Sequence, residues 1–130
     1  MSNAILQRWG VRYAFKYNRV LHEMTHMKLT MLLEIETFFY SESEKGLLGP
    51  ELFLDVLRSL LLLQVVNLND FADEIQVESD LVKCWATDAH PEDMLMIGPD
   101  PQKYNEYIRV AISMASEKLE KQLKRILLST

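Results

Sequence analysis

Residues Ile5–Tyr40 read ILQRWGVRYAFKYNRVLHEMTHMKLTMLLEIETFFY, and this stretch decides the fold. Trp9, Tyr13, Tyr17, Val20, Met24, Met27, Met31, Ile35 and Phe38 recur at three- and four-residue steps, which predicts one long helix with an apolar face. A second series runs almost opposite: Val11, Phe15, His22, His26, Leu29, Leu33 and Tyr40. At about 100° per residue, His22 falls about 180° from the centre of the first stripe. A helix that is apolar on two opposed sides must cover both. It is therefore expected either to be sandwiched within its own bundle or to share one side with a second subunit.

Working outward, glycine and proline are scarce, four of each, and they cluster. Gly46, Gly49 and Pro50 mark a first turn, while Pro91, Gly98, Pro99 and Pro101 mark a second irregular region. Pro50 suits the first position of a helix and Glu51 its first turn. Leu52, Phe53, Val56, Leu57, Leu60, Leu61, Leu63 and Val65 make this second helix apolar nearly all round, so it is expected to be the most buried element. Asn67–Asp70 either breaks it or lies within a helix continuing to about Glu78. Ser79 reads as the N-cap of a short helix to about Trp85, and 87–99 reads as mostly loop. Asp100 followed by Pro101 starts the last helix. Its stripe includes Tyr104, Ile108, Ala111, Ala115 and Leu119, and its C-terminal end carries solvated i,i+4 Glu–Lys pairs. No alternating strand pattern and no repeat is found. The expectation is an all-α chain, residues 1–130 forming a single helical-bundle domain of three long helices plus one short helix, completed by dimerisation if the bundle cannot cover its own surface.

The bulk properties bound the function. The chain has 130 residues, 48% hydrophobic and 25% charged, with net charge −5. An acidic protein is a poor match for nucleic-acid phosphates, and Lys118, Lys121, Lys124 and Arg125 are interleaved with glutamates, so no nucleic-acid partner is expected. Cys84 is the only cysteine, which excludes an internal disulfide and fits a cytoplasmic protein. No signal-peptide pattern is read, and the apolar run Leu60–Val66 is far shorter than the roughly 20 residues of a membrane span, so no membrane partner is expected.

One segment has chemical logic. His22-Glu23-Met24-Thr25-His26 matches H-E-x-x-H, which puts two imidazoles and a carboxylate on adjacent helical turns. The string resembles the metal-binding motif of zincin metalloproteases, where the two histidines hold zinc and the glutamate acts as base. The resemblance covers five residues. The residues before it read as helix and no third histidine follows in the metzincin position. Glu23-x-x-His26 also has the spacing used by ferritin-like carboxylate proteins, but no second copy of that pattern occurs. The geometry of a hairpin offers a third site. If the first two helices turn back near residue 46, residue i lies level with residue 92 − i. His22 then faces Asp70, and Asn18 faces Glu74. His22, His26, Asp70 and Glu74 would form a set suited to zinc or iron. Against this stands the plainer reading, in which the histidines are packing residues, the methionines are core filler, and His90 lies in an exposed loop.

No nucleophile–base pair and no phosphate loop is present, so no catalytic residue is assigned. The expected function is a non-catalytic protein-interaction module, a regulator, adaptor or inhibitor of a protein partner. It is expected to form a homodimer through an interface of Val11, Phe15, Leu29, Leu33 and Tyr40. The alternative is a metal-binding bundle or metalloenzyme built on the His22/His26 segment.

Overall fold

A single helix of 42 residues, α1 (Asn3–Glu44), runs unbroken through the whole of the deciding stretch. The structure, a computed structural model, describes the backbone of residues 3–128 and the side chains of residues 19–126. α1 ends in a Schellman motif. Gly46 takes φ +74°, a left-handed conformation that favours glycine, and lets Leu47 N–H donate to Glu42 O at 3.0 Å and Gly46 N–H to Ser43 O at 3.0 Å. Pro50 then opens α2 (Pro50–Leu62), whose Phe53, Leu54, Val56, Leu57 and Leu60 are all buried, as its composition requires.

The expected second long helix is two helices. α2 stops at Leu62, and Gln64 takes a left-handed φ of 57°. Asn67 then caps α3 (Leu68–Ile75), its side-chain oxygen accepting from Asn69 N–H at 2.9 Å and Asp70 N–H at 3.1 Å. α3 ends on a second left-handed glutamine, Gln76, φ 59°. The next helix, α4 (Ser79–Thr87), has Glu78 rather than Ser79 at its N-cap position. The segment expected to be mostly loop holds a 3-10 turn at Pro91–Asp93 and the one-turn helix α5 (Met94–Ile97). Gly98 follows because the chain doubles back tightly there. A Cβ on it would lie 2.5 Å from Met94 O. Asp100 accepts from Gln102 N–H at 3.0 Å and starts a 3-10 turn that leads into α6 (Tyr104–Leu128).

The described residues are thus all helix and no strand, with two long helices and four shorter ones in place of three long and one short. α1 and α6 lie antiparallel: Asn105 Nδ2 donates to Ser43 Oγ at 3.3 Å, the Arg109 guanidinium sits 5.2 Å from the Tyr40 ring centroid, and Leu21 and Thr25 share a depression with Gln122 and Ile126. Residue i of α1 is therefore level with about residue 148 − i, and Leu128 reaches about residue 20. The helix from 3 to 19 extends past the described end of α6.

The core lies where α2, α4 and α6 meet. The Phe53 ring stacks on Tyr104 at 4.5 Å between centroids and meets Trp85 edge-on at 5.9 Å. The indole N–H of Trp85, wholly buried, donates to Ile97 O at 2.8 Å. Arg58 supports this arrangement from α2. Its Nε and Nη2 donate to Trp85 O at 3.0 and 2.9 Å, and Nη2 also donates to Ala89 O. A cation is thereby placed on the carbonyl end of α4, where the helix dipole favours it.

Candidate interaction surface

Neither apolar stripe of α1 is centred on its own core, although Ile35 of the first and Leu29 and Tyr40 of the second pack against it. The buried seam consists of Thr25, Leu32 and Phe39, seven residues apart, and it lies between the two series read from the sequence. Thr25 is tolerated there because its hydroxyl donates to Leu21 O at 2.8 Å. The first stripe, expected as core, is largely solvent-exposed. Val20 is 44% exposed, Met24 46%, Met27 59%, Met31 45% and Phe38 52%. Only Ile35 of its described members packs against the core.

For the part of the stripe before Met31 the reason is the length of α2. Met31, Ile35 and Phe38 line one groove with Asp55, Val56, Ser59, Leu62 and Leu63, so α2 runs back along α1 with residue i level with about 93 − i. That is within one residue of the register expected from the turn. But α2 ends at Leu62, level with Met31, and the chain turns away to place α3 against α4 and α6. The α1 stripe continues past that end, bordered at Met24 by Gln122, Arg125 and Ile126 of α6. Leu62 itself is 81% exposed at the mouth of the groove, which has a volume of about 410 Å³. Sequence reasoning missed Leu62, since an all-round apolar helix gives no sign of which leucine faces out. Leu95 and Met96 of α5 are exposed too, in a segment the sequence reads as loop.

The turn of the chain also separates the expected metal ligands. His22 and His26 are brought together, their rings edge to face with centroids 4.5 Å apart, His22 half-buried and His26 exposed. Glu23 is exposed and lies 4.0 Å from Arg19. Asp70 and Glu74 belong to α3 and sit against α6 instead. Asp70 lines a depression with Met114, Lys118 and Lys121, and Glu74 one with Asn105, Arg109 and Ser113. Among the described residues no group of three or more histidine, cysteine, aspartate or glutamate side chains is placed to hold a metal ion. His90, read as an exposed loop residue, is exposed and starts the 3-10 turn, its backbone N–H donating to Asp93 Oδ2 at 2.9 Å.

Of the expected interface, Leu29 and Tyr40 pack against this chain's own core and Leu33 is 61% exposed. Val11 and Phe15 lie outside the described side chains. Among the described residues no helix is long and apolar enough to cross a membrane. Comparison of the chain with family models, curated proteins and solved structures finds no match.

Proposed function

We propose that the protein is a non-catalytic protein-interaction module whose contact surface is the apolar stripe of α1 together with the α1–α2 groove. The observation that carries this reading is the row Val20, Met24, Met27, Met31 and Phe38, large apolar side chains about half exposed along one side of a helix and continuous with Leu62. Scattered apolar exposure is ordinary, but a contiguous row is the mark of a contact site. Methionine suits such a surface because its unbranched, polarisable chain adapts to a partner. Charged side chains border the row: Glu23 and Glu34 are exposed, as is Asp55 at the groove. An apolar centre with a charged rim is the usual anatomy of an interface.

The test is a comparison of two charge substitutions. Met24→Glu with Met27→Glu places carboxylates on the row, and Lys83→Glu with Lys103→Glu places them on exposed positions elsewhere. All four positions are exposed or about half-exposed, so both variants should keep the helical circular dichroism of the wild type. The reading expects every specific protein contact to be lost in the first variant and kept in the second. Contacts that survive the first variant would overturn it.

A further inference from the structure

The charge of the chain is not spread evenly. Residues 31–63, which build both walls of the α1–α2 groove and the turn between them, carry six carboxylates and two cations, a net −4 out of the chain's −5. Both cations are taken up within the chain. Lys45 pairs with Glu42 at 3.3 Å, and the Arg58 guanidinium is turned to the carbonyls of Trp85 and Ala89. Glu34 and Asp55 line the groove from opposite walls. Both are exposed, and neither has an ion-pair partner among the described residues.

We infer that the α1–α2 groove takes a basic amphipathic helix of a partner protein, its apolar side chains on the groove floor and its lysines or arginines against Glu34 and Asp55. This rests on the reading of the groove as part of the contact surface, and it names the chemical class of the partner there. The floor is apolar. Val56 and Leu63 are buried and Ile35 packs against the core, while Phe38 and Leu62 stand exposed at its sides. From Met31 to Phe38 the groove runs about 10 Å, about two turns of a helix. Asp55 is level with about Phe38 and Glu34 with about Ser59, so the two carboxylates stand diagonally across it, about 6 Å apart along its axis. A helix with apolar anchors at i, i+3 and i+4 and a cation on each flank matches that pattern.

A helix suits the groove better than an extended segment does. Both walls are helices whose backbone groups are bonded internally, and no strand among the described residues offers an edge. Ser59 Oγ at the groove already donates to Asp55 O at 2.8 Å. A partner backbone laid on that floor finds no ladder to join and must satisfy its own N–H and C=O groups, as a helix does. The unpaired carboxylates select the sign of its charge. An acidic helix would bring like charge to Glu34 and Asp55, and so would a second copy presenting the same face.

Fluorescence anisotropy of the full chain with a labelled peptide of about 18 residues, leucine at i, i+3, i+4 and i+7 and lysine elsewhere, tests it against the same peptide with glutamine or glutamate in place of lysine. The lysine peptide should bind at least about tenfold more tightly than the glutamine one, gain helical circular dichroism on binding, and weaken as salt rises, while the glutamate peptide should not bind. Glu34→Lys with Asp55→Lys should weaken the lysine peptide about tenfold. Asp73→Lys with Glu120→Lys, the same change of net charge at exposed positions on α3 and α6, should change it less than about twofold. Phe38→Glu with Leu62→Glu adds negative charge but removes apolar contact, so it should also weaken the lysine peptide, where attraction between net charges alone would strengthen it. No binding of the lysine peptide, equal affinity for all three peptides, or tighter binding to the Phe38→Glu, Leu62→Glu chain would each overturn the inference. A wild-type dimer that Phe38→Glu with Leu62→Glu turns into a monomer in sedimentation equilibrium would give the groove to a second copy and overturn it too. The reading of the stripe as a contact surface stands or falls separately, on Met24→Glu with Met27→Glu, two positions outside the groove.

Discussion

His22 and His26 show how far a motif can be read without its neighbours. Their i,i+4 spacing brings the rings together at 4.5 Å, which the sequence foretold. The further ligands depended on whether the chain went on past Asn67, and it turns. Two imidazoles are half of a four-coordinate set, so the purified chain should hold far less than one equivalent of zinc or iron by elemental analysis. A stoichiometric metal lost in His22→Ala with His26→Ala would contradict this. Arg58 gave no signal in sequence, being one basic residue in an apolar helix, yet it holds the carbonyl end of α4. Arg58→Met should cost about 2–3 kcal/mol in urea denaturation, because it leaves the carbonyls of buried Trp85 and Ala89 without their donors. An unchanged midpoint would contradict it. Tyr104 is 2% exposed, and burial raises its phenol pKa above the ordinary value of 10.0. The folded pKa exceeds the unfolded one, so the neutral phenol contributes stability that is complete below about pH 10 and is lost as the pH rises through the folded value. Tyr104→Phe should therefore flatten part of the fall in urea midpoint above pH 10 and leave the profile from pH 6 to 9 unchanged in shape. An identical alkaline fall in the variant would contradict this.

Two helix starts were legible, and the ends of α2 and α3 were not. Pro50, and Asp100 with Pro101, announce their helices because a proline in the first turn and an acidic cap have clear physical reasons to be there. The ends of α2 and α3 carry glutamine where a glycine would be expected, at φ 57° and 59°. Nothing in the residue type marks Gln64 or Gln76 as a left-handed stop, so the break could not be separated from a continuing helix. Gln76 closes a Schellman motif, with Val77 N–H donating to Ala72 O at 3.0 Å. A side chain in this conformation is strained by about 1–2 kcal/mol. Gln76→Gly should raise stability by about 0.5–1 kcal/mol in thermal or urea denaturation, while Gln76→Val should lower it. A destabilising glycine there would contradict the assignment of the motif. The same break explains the misread face of α1. The turn fixed the α1–α2 register to within one residue, but α2 is too short to reach Met27, Met24 and Val20.

Taken as a whole molecule, the chain folds around α2 and leaves one side of α1 without cover. The sequence showed that α1 carries more apolar surface than a small bundle hides, and it showed the two stripes. It could not show that the buried seam runs between them through Thr25, Leu32 and Phe39, because a threonine bonded to its own helix looks polar on paper. The side expected as interface partly packs on the chain's own core, and the side expected as core is the exposed one. Methionine oxidation by dilute peroxide, read residue by residue by mass spectrometry, measures this directly, since Met94 is 2% exposed and Met96 is 91% exposed within the same short helix. Met24, Met27 and Met31 should oxidise alongside Met96, with Met94 spared. If Met24, Met27 and Met31 instead stay as unreactive as Met94, the stripe is packed within the chain and the account of it as an open contact surface is contradicted.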